Sequence, residues 1–272
     1  MDSTLLHLPP SELLTSIVDI ARRAGREILD VYGSDFEARA KADNSPLTEA
    51  DLRAHRLIVA ALETLEPRLP VLSEEAAEIA HAERASWQRY WLVDPLDGTK
   101  EFVSRNGEFT VNIALIEGHR PVLGVVHIPV SDTTYSGVPG AGAWRESHDR
   151  ARTRIGVRQI AARPLRIVGS RSHGDPRLAQ ALKALGPHEL RVAGSSIKLC
   201  LIADGSADLY PRLGPTSEWD IAAGQAVVEA AGGQVVRLTD GHSLSYNDKA
   251  GLLNPDFLAY GDASCYRNWP RG

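Results

Sequence analysis

Residues 91–102 read Trp-Leu-Val-Asp-Pro-Leu-Asp-Gly-Thr-Lys-Glu-Phe and form the stretch around which the rest of the chain is organised. Trp91-Leu92-Val93 is apolar and rich in strand formers, and Pro95 cannot donate to a ladder, so we expect a strand that ends at Asp94. Asp97-Gly98-Thr99 then predicts a tight turn that opens a helix. Two carboxylates, a hydroxyl and free helix N–H groups thus converge at a place that favours phosphate.

The two carboxylates of this stretch are three residues apart. Carboxylates held so close repel each other unless one is protonated or a cation lies between them. Because the turn contains no basic residue, we favour the cation. The alternative is that Asp94 only caps a strand end and that Asp97-Gly98 is a common turn pair.

The composition is that of an ordinary soluble globular protein, with 272 residues of which 43% are hydrophobic and 24% charged. A net charge of -5 and scattered basic residues give no sign of a surface for nucleic acid or anionic membranes. Cys200 and Cys265 are the only cysteines and predict neither a disulfide framework nor a zinc site. Residues 1–10 lack a signal-peptide pattern and no apolar run approaches about 18 residues, so we expect an unexported protein without an integral membrane segment.

The order of predicted elements indicates an α/β protein built from two parts. Residues 1–160 combine amphipathic helices at 10–33 and 48–67 with an antiparallel meander that begins with strands at 109–117 and 121–127, which is an α+β arrangement. The polar, arginine-rich stretch 146–164 predicts a domain boundary. Residues 161–272 alternate strands with helices, as an α/β layer does.

Three further acidic residues stand at predicted strand ends or helix starts. Taken singly, Asp51 completes a capping box, Glu74 belongs to the first turn of a helix and Asp220 is an N-cap. Taken with the central stretch, four of the acids occupy positions where α/β proteins place their sites: Glu74, Asp94, Asp97 and Asp220. Carboxylates without His or Cys suit Mg²⁺, and a pair of such ions would activate water and neutralise a leaving oxygen. Phosphate ester hydrolysis is therefore the predicted reaction.

The motif Asp94-Pro95-Leu96-Asp97-Gly98-Thr99, preceded by Glu74 and followed by Trp219-Asp220, resembles the inositol monophosphatase superfamily of metal-dependent, lithium-sensitive phosphatases. The resemblance covers nearly the whole chain and implies a layered αβαβα sandwich. It also implies two or three Mg²⁺ ions held by Glu74, Asp94, Asp97, Asp220 and the backbone carbonyl of Leu96. Thr99 paired with Asp51 would orient and deprotonate the attacking water, and Glu74 would take part in catalysis as well as in metal binding.

Two departures from the inositol enzymes point to a nucleotide substrate. Gly98-Thr99-Lys100-Glu101-Phe102 replaces their Gly-Thr-Thr-Asn-Phe and resembles the CysQ-type 3′(2′),5′-bisphosphate nucleotidases of bacteria. Arg212 stands where the inositol enzymes carry a glutamate, and a guanidinium there would pair with a second phosphate. The resemblance implies these substrate-binding candidates: Gly98, Thr99, Ser170, Arg171, His173, Ser195, Lys198, Arg212 and Asp220. The alternative is that Ser196 merely caps a helix and that Lys198 and Arg212 are solvated surface charges.

The resulting hypothesis is a Mg²⁺-dependent phosphatase that removes the 3′-phosphate of adenosine 3′,5′-bisphosphate, and that of 3′-phosphoadenylyl sulfate, in sulfate assimilation. Within the same class the alternative is an inositol monophosphatase or a fructose-1,6-bisphosphatase; from another class it is a nucleotide sensor without turnover. We expect the partner to be this small-molecule substrate rather than nucleic acid, and the protein to be a cytoplasmic monomer or homodimer. Peripheral association with the cytoplasmic face of the inner membrane has no basic amphipathic helix to support it.

Overall fold

The computed structural model describes residues 9–36, 39–40, 46–147, 150–170 and 175–270. Their helices are α1 Pro10–Tyr32, α2 Glu49–Leu62, α3 His81–Arg84, α4 Thr99–Val103, α5 Pro176–Leu185, α6 Ile197–Ala203, α7 Glu218–Ala230 and α8 Ala263–Arg267, with a 3₁₀ turn at Glu74–Ala76. Among the described residues, none of the helices combines the length and the apolar character that crossing a bilayer requires.

The strands fall into two large sheets and one small hairpin. The hairpin pairs β1 Arg39–Ala40 with β2 Pro46–Leu47. The first large sheet contains β3 Val71–Ser73, β4 Arg89–Asp97, β5 Thr110–Glu117, β6 Arg120–Ile128, β7 Thr133–Val138, β8 Gly142–Ser147 and β9 Arg150–Ile155 in that spatial order. The second sheet has the order β11-β10-β12-β14-β13, formed by β10 Leu165–Gly169, β11 His188–Val192, β12 Leu209–Arg212, β13 Gln234–Arg237 and β14 Phe257–Tyr260.

Helices and sheets alternate as five layers. Apolar residues of α1 and α2 pack with Trp91, Val93 and other residues on one face of the first sheet. Helices α6 and α7 pack with the opposite face of that sheet and also with Tyr210 and Phe257 of the second sheet. Residues of α5 and α8 cover the outer face of the second sheet. The order is therefore αβαβα, and the predicted fold class is confirmed.

The two sheets lie on either side of the boundary predicted near residue 160, because the first uses residues 71–155 and the second residues 165–260. Helices α6 and α7 join them through one continuous apolar cluster. The division of the chain into domains 1–160 and 161–272 stays a prediction.

Four local expectations differ from the structure. Pro95 does not end the strand, because β4 continues to Asp97 through a bulge, where the ladder needs no N–H donor. The stretch 146–164 is not only a boundary, since β9 runs through it along the edge of the sheet, where arginines remain in water. Helix α2 ends at Leu62 rather than at residue 67. The antiparallel strand β14, which the sequence reading missed, separates β12 from β13.

Helix α7 lies directly against the first sheet because two strands present glycine to it. A Cβ on Gly124 of β6 would lie 2.2 Å from the carbonyl oxygen of Ala223, and one on Gly137 of β7 would lie 2.8 Å from Cα of Val227. Both distances are below any normal carbon contact, so these positions exclude every side chain. The close approach sets the depth of α7 between the two sheets.

We expect Gly124→Ala to destabilise the protein by at least about 1–3 kcal/mol, because the added methyl meets backbone that has no room to move. For a chain of this size the melting temperature should fall by at least about 2 °C in a thermal unfolding experiment. Gly251→Ala is the matched control, since a Cβ there has no heavy atom within 4 Å. Equal melting temperatures for the two variants would contradict this account of the packing.

Candidate active site

The end of β4 carries two of the predicted acids. Asp94 is paired with Asn112 of β5, Asp97 is paired with Thr110, and the register shifts between these two pairs. Asp94 Oδ1 accepts a hydrogen bond from the amide of Leu96 at 3.1 Å, which closes the bulge. Because a bulge redirects side chains, both carboxylates reach the same space although they are three residues apart.

Asp220 completes a cluster with these two acids. Carboxylate oxygens of Asp94, Asp97 and Asp220 lie within 4.8 Å of one another. Burial, and then the charges of Glu74, Asp97 and Asp220, raise the pKa of Asp94 well above its usual range. Burial, followed by Asp97 and Glu74, raises the pKa of Asp220 in the same way. Glu74, in the 3₁₀ turn after β3, also hydrogen-bonds to Asp94. The charged form of this set needs a cation for its stability, and an all-oxygen donor set fits a hard one.

Asp220 is the third residue of α7, not its N-cap as the single-residue interpretation had it. Ser217 is the N-cap, and its amide donates to Asp220 Oδ2 at 2.9 Å in a capping box. The capping role and membership of the carboxylate cluster are thus compatible, since one carboxylate has two oxygens.

The contacts of three polar residues with Asp97 were not predicted from the sequence, although Ser196 stands at the N-cap of α6 as its alternative interpretation expected. Asp97 Oδ2 accepts hydrogen bonds from the amide of Ser196 at 2.7 Å and from Asn112 Nδ2 at 3.3 Å, and the Ser196 hydroxyl lies 2.8 Å away. Thr110 Oγ1 is 3.5 Å from the same oxygen. Thr110 and Asn112 could have been found, because polar residues two apart in an apolar strand share one face. Ser196 offers no such signal.

Asp51 and Thr99 meet at the edge of the cluster. Asp51 Oδ2 closes the capping box of α2 by accepting from the amide of Thr48 at 2.7 Å. Its other oxygen, Oδ1, accepts from Thr99 Oγ1 at 3.3 Å. Thr99 is the first residue of α4, after Gly98 at φ +92°. The cap and the contact with Thr99 therefore exist together.

A cavity of about 320 Å³ opens beside the cluster, and its lining includes Glu74, Asp97, Ser170, Ser195, Lys198 and Arg212. Lys198 and Arg212 are only 6% and 8% exposed, so they are not solvated surface charges. Burial lowers the pKa of Lys198 to about 8, although Asp97 nearby acts in the opposite direction. Lys198 Nζ donates to the carbonyl of Ser195 at 2.6 Å. The candidates Arg171 and His173 lie outside the described residues.

Ser195 joins this cavity to the first sheet. It adopts φ +46°, which is uncommon for a residue with a side chain. Its hydroxyl lies 2.8 Å from Thr110 Oγ1, and its Cβ lies beside Gly98. The segment 194–198 is thereby held against the central motif. The cavity is lined by predicted residues from both halves of the chain, whereas Asp51, Asp94 and Leu96 lie outside its lining.

Clustered carboxylates, a hydroxyl–carboxylate pair and buried cationic side chains surround one cavity of this five-layer α/β fold. This combination is typical of metal-dependent phosphate ester hydrolases. The sequence matches the model of the Inositol monophosphatase family over residues 10–263, and the chain belongs to that family. Enzymes of the family are metal-dependent, in keeping with the acidic cluster.

Curated relatives and a solved structure specify the branch of the family. The chain is 50% identical over 247 residues to the 3′(2′),5′-bisphosphate nucleotidase CysQ of Escherichia coli strain K12, covering 90% of this chain and 98% of the relative. It is 51% identical to the protein of that name from Salmonella typhimurium, again over 90% of this chain and 98% of the relative. The crystal structure of CysQ from Bacteroides thetaiotaomicron superposes with a TM-score of 0.80 at 42% identity, covering 92% of this chain and 97% of the other. The resemblance inferred from the sequence is confirmed.

The raised pKa values of Asp94 and Asp220 lead to a test of the cluster in the metal-free protein. A carboxyl group whose pKa is raised by folding binds its proton more tightly in the folded state, so its contribution to stability falls as the pH rises above the unfolded value of about 4. Asn at position 94 carries no such charge. In EDTA, we expect Asp94→Asn to melt at a higher temperature than wild type, with a gap that widens between pH 5 and pH 8.

The control for this comparison is Asp175→Asn. Asp175 is half-buried, and its hydrogen bonds with Arg177 lower its pKa, so its removal should not stabilise the protein. If wild type and Asp94→Asn had equal melting temperatures at pH 8 in EDTA, the carboxylates of the cluster would not repel each other measurably.

Proposed function

We propose that this protein is a Mg²⁺-dependent phosphatase that hydrolyses the 3′-phosphate of adenosine 3′,5′-bisphosphate, and that of 3′-phosphoadenylyl sulfate. The observation that carries the proposal is one cavity that joins a carboxylate cluster to buried cationic side chains. The names of relatives about 50% identical to this chain support the nucleotide substrate. A cytoplasmic location and a monomeric or homodimeric state remain predictions.

The carboxylates and one carbonyl would hold the metal. The proposed ligands are Glu74, Asp94, Asp97, Asp220 and the backbone oxygen of Leu96, shared by two or three Mg²⁺ ions. The raised pKa of Asp94 supports this role, because burying several carboxylates without a cation is costly. When bound, Mg²⁺ polarises the phosphate and lowers the pKa of a coordinated water.

Thr99 and Asp51 would position the water that attacks phosphorus. Thr99 Oγ1 lies 3.3 Å from Asp51 Oδ1 and 3.3 Å from the carbonyl oxygen of Leu96. With its proton directed to Asp51, its lone pairs would serve as acceptors for the water. Asp51 is held by the Thr48 cap and can accept the proton that leaves through Thr99. Glu74 borders both the cavity and Asp94, so we assign it to the same proton and metal chemistry.

The opposite side of the cavity would select the nucleotide. Arg212 Nη2 donates to the carbonyl of Pro215 at 2.8 Å, while Nε is buried and has no hydrogen-bond partner among the described residues. A buried donor without a partner costs free energy, which a phosphate oxygen would recover. Lys198, Ser195 and Ser170 border the same space and are the other proposed contacts, with Gly98 and Thr99 beside the scissile phosphate.

The direct test is phosphate release from adenosine 3′,5′-bisphosphate in fluoride-free buffer. We expect turnover with Mg²⁺ and none in EDTA, and a loss of about 10³-fold in kcat for Asp97→Asn, since several kcal/mol of charge stabilisation depend on the metal. Asp240→Asn, an exposed aspartate paired with Arg237, should keep wild-type activity. Absence of Mg²⁺-dependent turnover, combined with tight nucleotide binding, would instead favour a sensor.

A second test addresses selectivity through Arg212→Glu. We expect kcat/KM for adenosine 3′,5′-bisphosphate to fall by about 10–100-fold, because charge-assisted hydrogen bonds to the second phosphate are worth roughly 1.5–3 kcal/mol. Hydrolysis of adenosine 3′-monophosphate, which lacks that phosphate, should change little. Wild-type enzyme that prefers inositol 1-phosphate, which has a single phosphate, would preserve the metal chemistry and refute the role of Arg212.

A further inference from the structure

The turn between β12 and α7, residues 213–217, contacts both the cationic side of the cavity, at Arg212, and the carboxylate side, at Asp220. Pro215, Thr216 and Ser217 line the cavity wall. The carbonyl of Pro215 receives the hydrogen bond of Arg212 at 2.8 Å, and the amide of Ser217 donates to Asp220 at 2.9 Å. The turn therefore carries the carbonyl that orients Arg212 and ends at the residue that caps α7.

A single segment, residues 252–256, holds the turn from behind. The amide of Glu218 donates to the carbonyl of Leu252 at 2.8 Å, and the amide of Gly214 donates to Asp256 Oδ1 at 3.0 Å. Between these two bonds, the amide of Asn254 donates to the carbonyl of Thr216 at 2.8 Å. Both ends and the middle of the turn are thus bonded to the segment that leads into β14.

Asn254 is the member of this segment whose side chain acts on the turn most directly. Its Nδ2 donates to the carbonyl of Ser217 at 2.7 Å and lies 3.3 Å from Thr216 Oγ1. The residue is 8% exposed, so water does not readily replace these bonds. Asn254 lies behind the wall and acts through Thr216 and Ser217.

We propose that Asn254 is a positioning residue that sets the preference of the cavity for a second phosphate, by fixing the turn on which Arg212 rests. The inference rests on the function proposed above. An arginine has several rotatable bonds, and Arg212 is oriented by one carbonyl of the turn. Asn254 holds Thr216 and Ser217, the two residues that follow Pro215. Holding them restrains the carbonyl of Pro215 and so keeps the guanidinium in one orientation before substrate arrives, which lowers the cost of binding.

The test compares two substrates that differ only in the second phosphate, adenosine 3′,5′-bisphosphate and adenosine 3′-monophosphate. For Asn254→Ala we expect KM for the bisphosphate to rise about tenfold with kcat little changed, and the monophosphate to be almost unaffected, as pre-organisation for the second phosphate requires. The double variant Asn254→Ala/Arg212→Ala should be no worse than Arg212→Ala alone, because residues that act through one interaction are not additive.

Two further variants separate positioning from general destabilisation. Asn254→Asp keeps the shape of the side chain but removes the donor, so it should show the same selective loss. It provides the test if Asn254→Ala folds poorly. Gln225→Ala removes a buried amide that contacts Glu229, Ser243 and Tyr246 instead of the turn, and it should lower the melting temperature without changing the ratio of the two substrates.

Equal losses on both substrates, or losses that multiply in the double variant, would overturn the role of Asn254 while leaving the proposed function intact. A wild type with no preference for the bisphosphate, together with an Arg212→Ala variant that behaves like wild type, would overturn the role of Arg212 and with it this inference.

Discussion

Repulsion among closely spaced carboxylates is the constraint on which this structure depends. Asp94, Asp97 and Asp220 come from two different parts of the chain and lie within 4.8 Å of one another. The protein meets this cost with hydrogen bonds to Asp97 from Ser196 and Asn112, and with the cap that Ser217 provides for Asp220. These bonds orient the acids but do not neutralise them, so the charge of the cluster calls for a bound cation or a proton.

The layered fold is what makes so unfavourable an assembly possible. Helix α7 can carry Asp220 to the end of β4 because Gly124 and Gly137 allow the helix to lie against the sheet. Helix α6 is packed in the same layer, and its preceding residue Ser196 bonds to Asp97 and lies 2.6 Å from the carbonyl of Asp220. Apolar packing on both faces of this layer supplies the free energy that offsets the polar site.

In the proposed function, metal chemistry and substrate choice would be carried by different parts of the site. The acids of β4 and α7 would hold the metal, whereas Lys198 and Arg212, which line the cavity, would face the part of the substrate that does not react. A substitution in β12, in the turn 213–217 or at Asn254 would then alter selectivity while the carboxylates stay in place. This separation gives one fold the capacity for several phosphate esters.

The sequence by itself determined many of the helices and strands and the chemical type of the candidate site residues. Period and capping signals predicted α1, α2 and the β5–β6 hairpin, and the acids at element ends predicted a metal site. The roles of the individual site residues remain predictions. Sequence did not predict that β4 continues through Pro95, that β9 exists or that β14 lies between β12 and β13, because edge position and strand order depend on partners distant in the chain. Only the tertiary structure placed Ser196 beside Asp97 and Asn254 beside Ser217, since hydrogen bonds across 99 and 37 residues leave no local pattern.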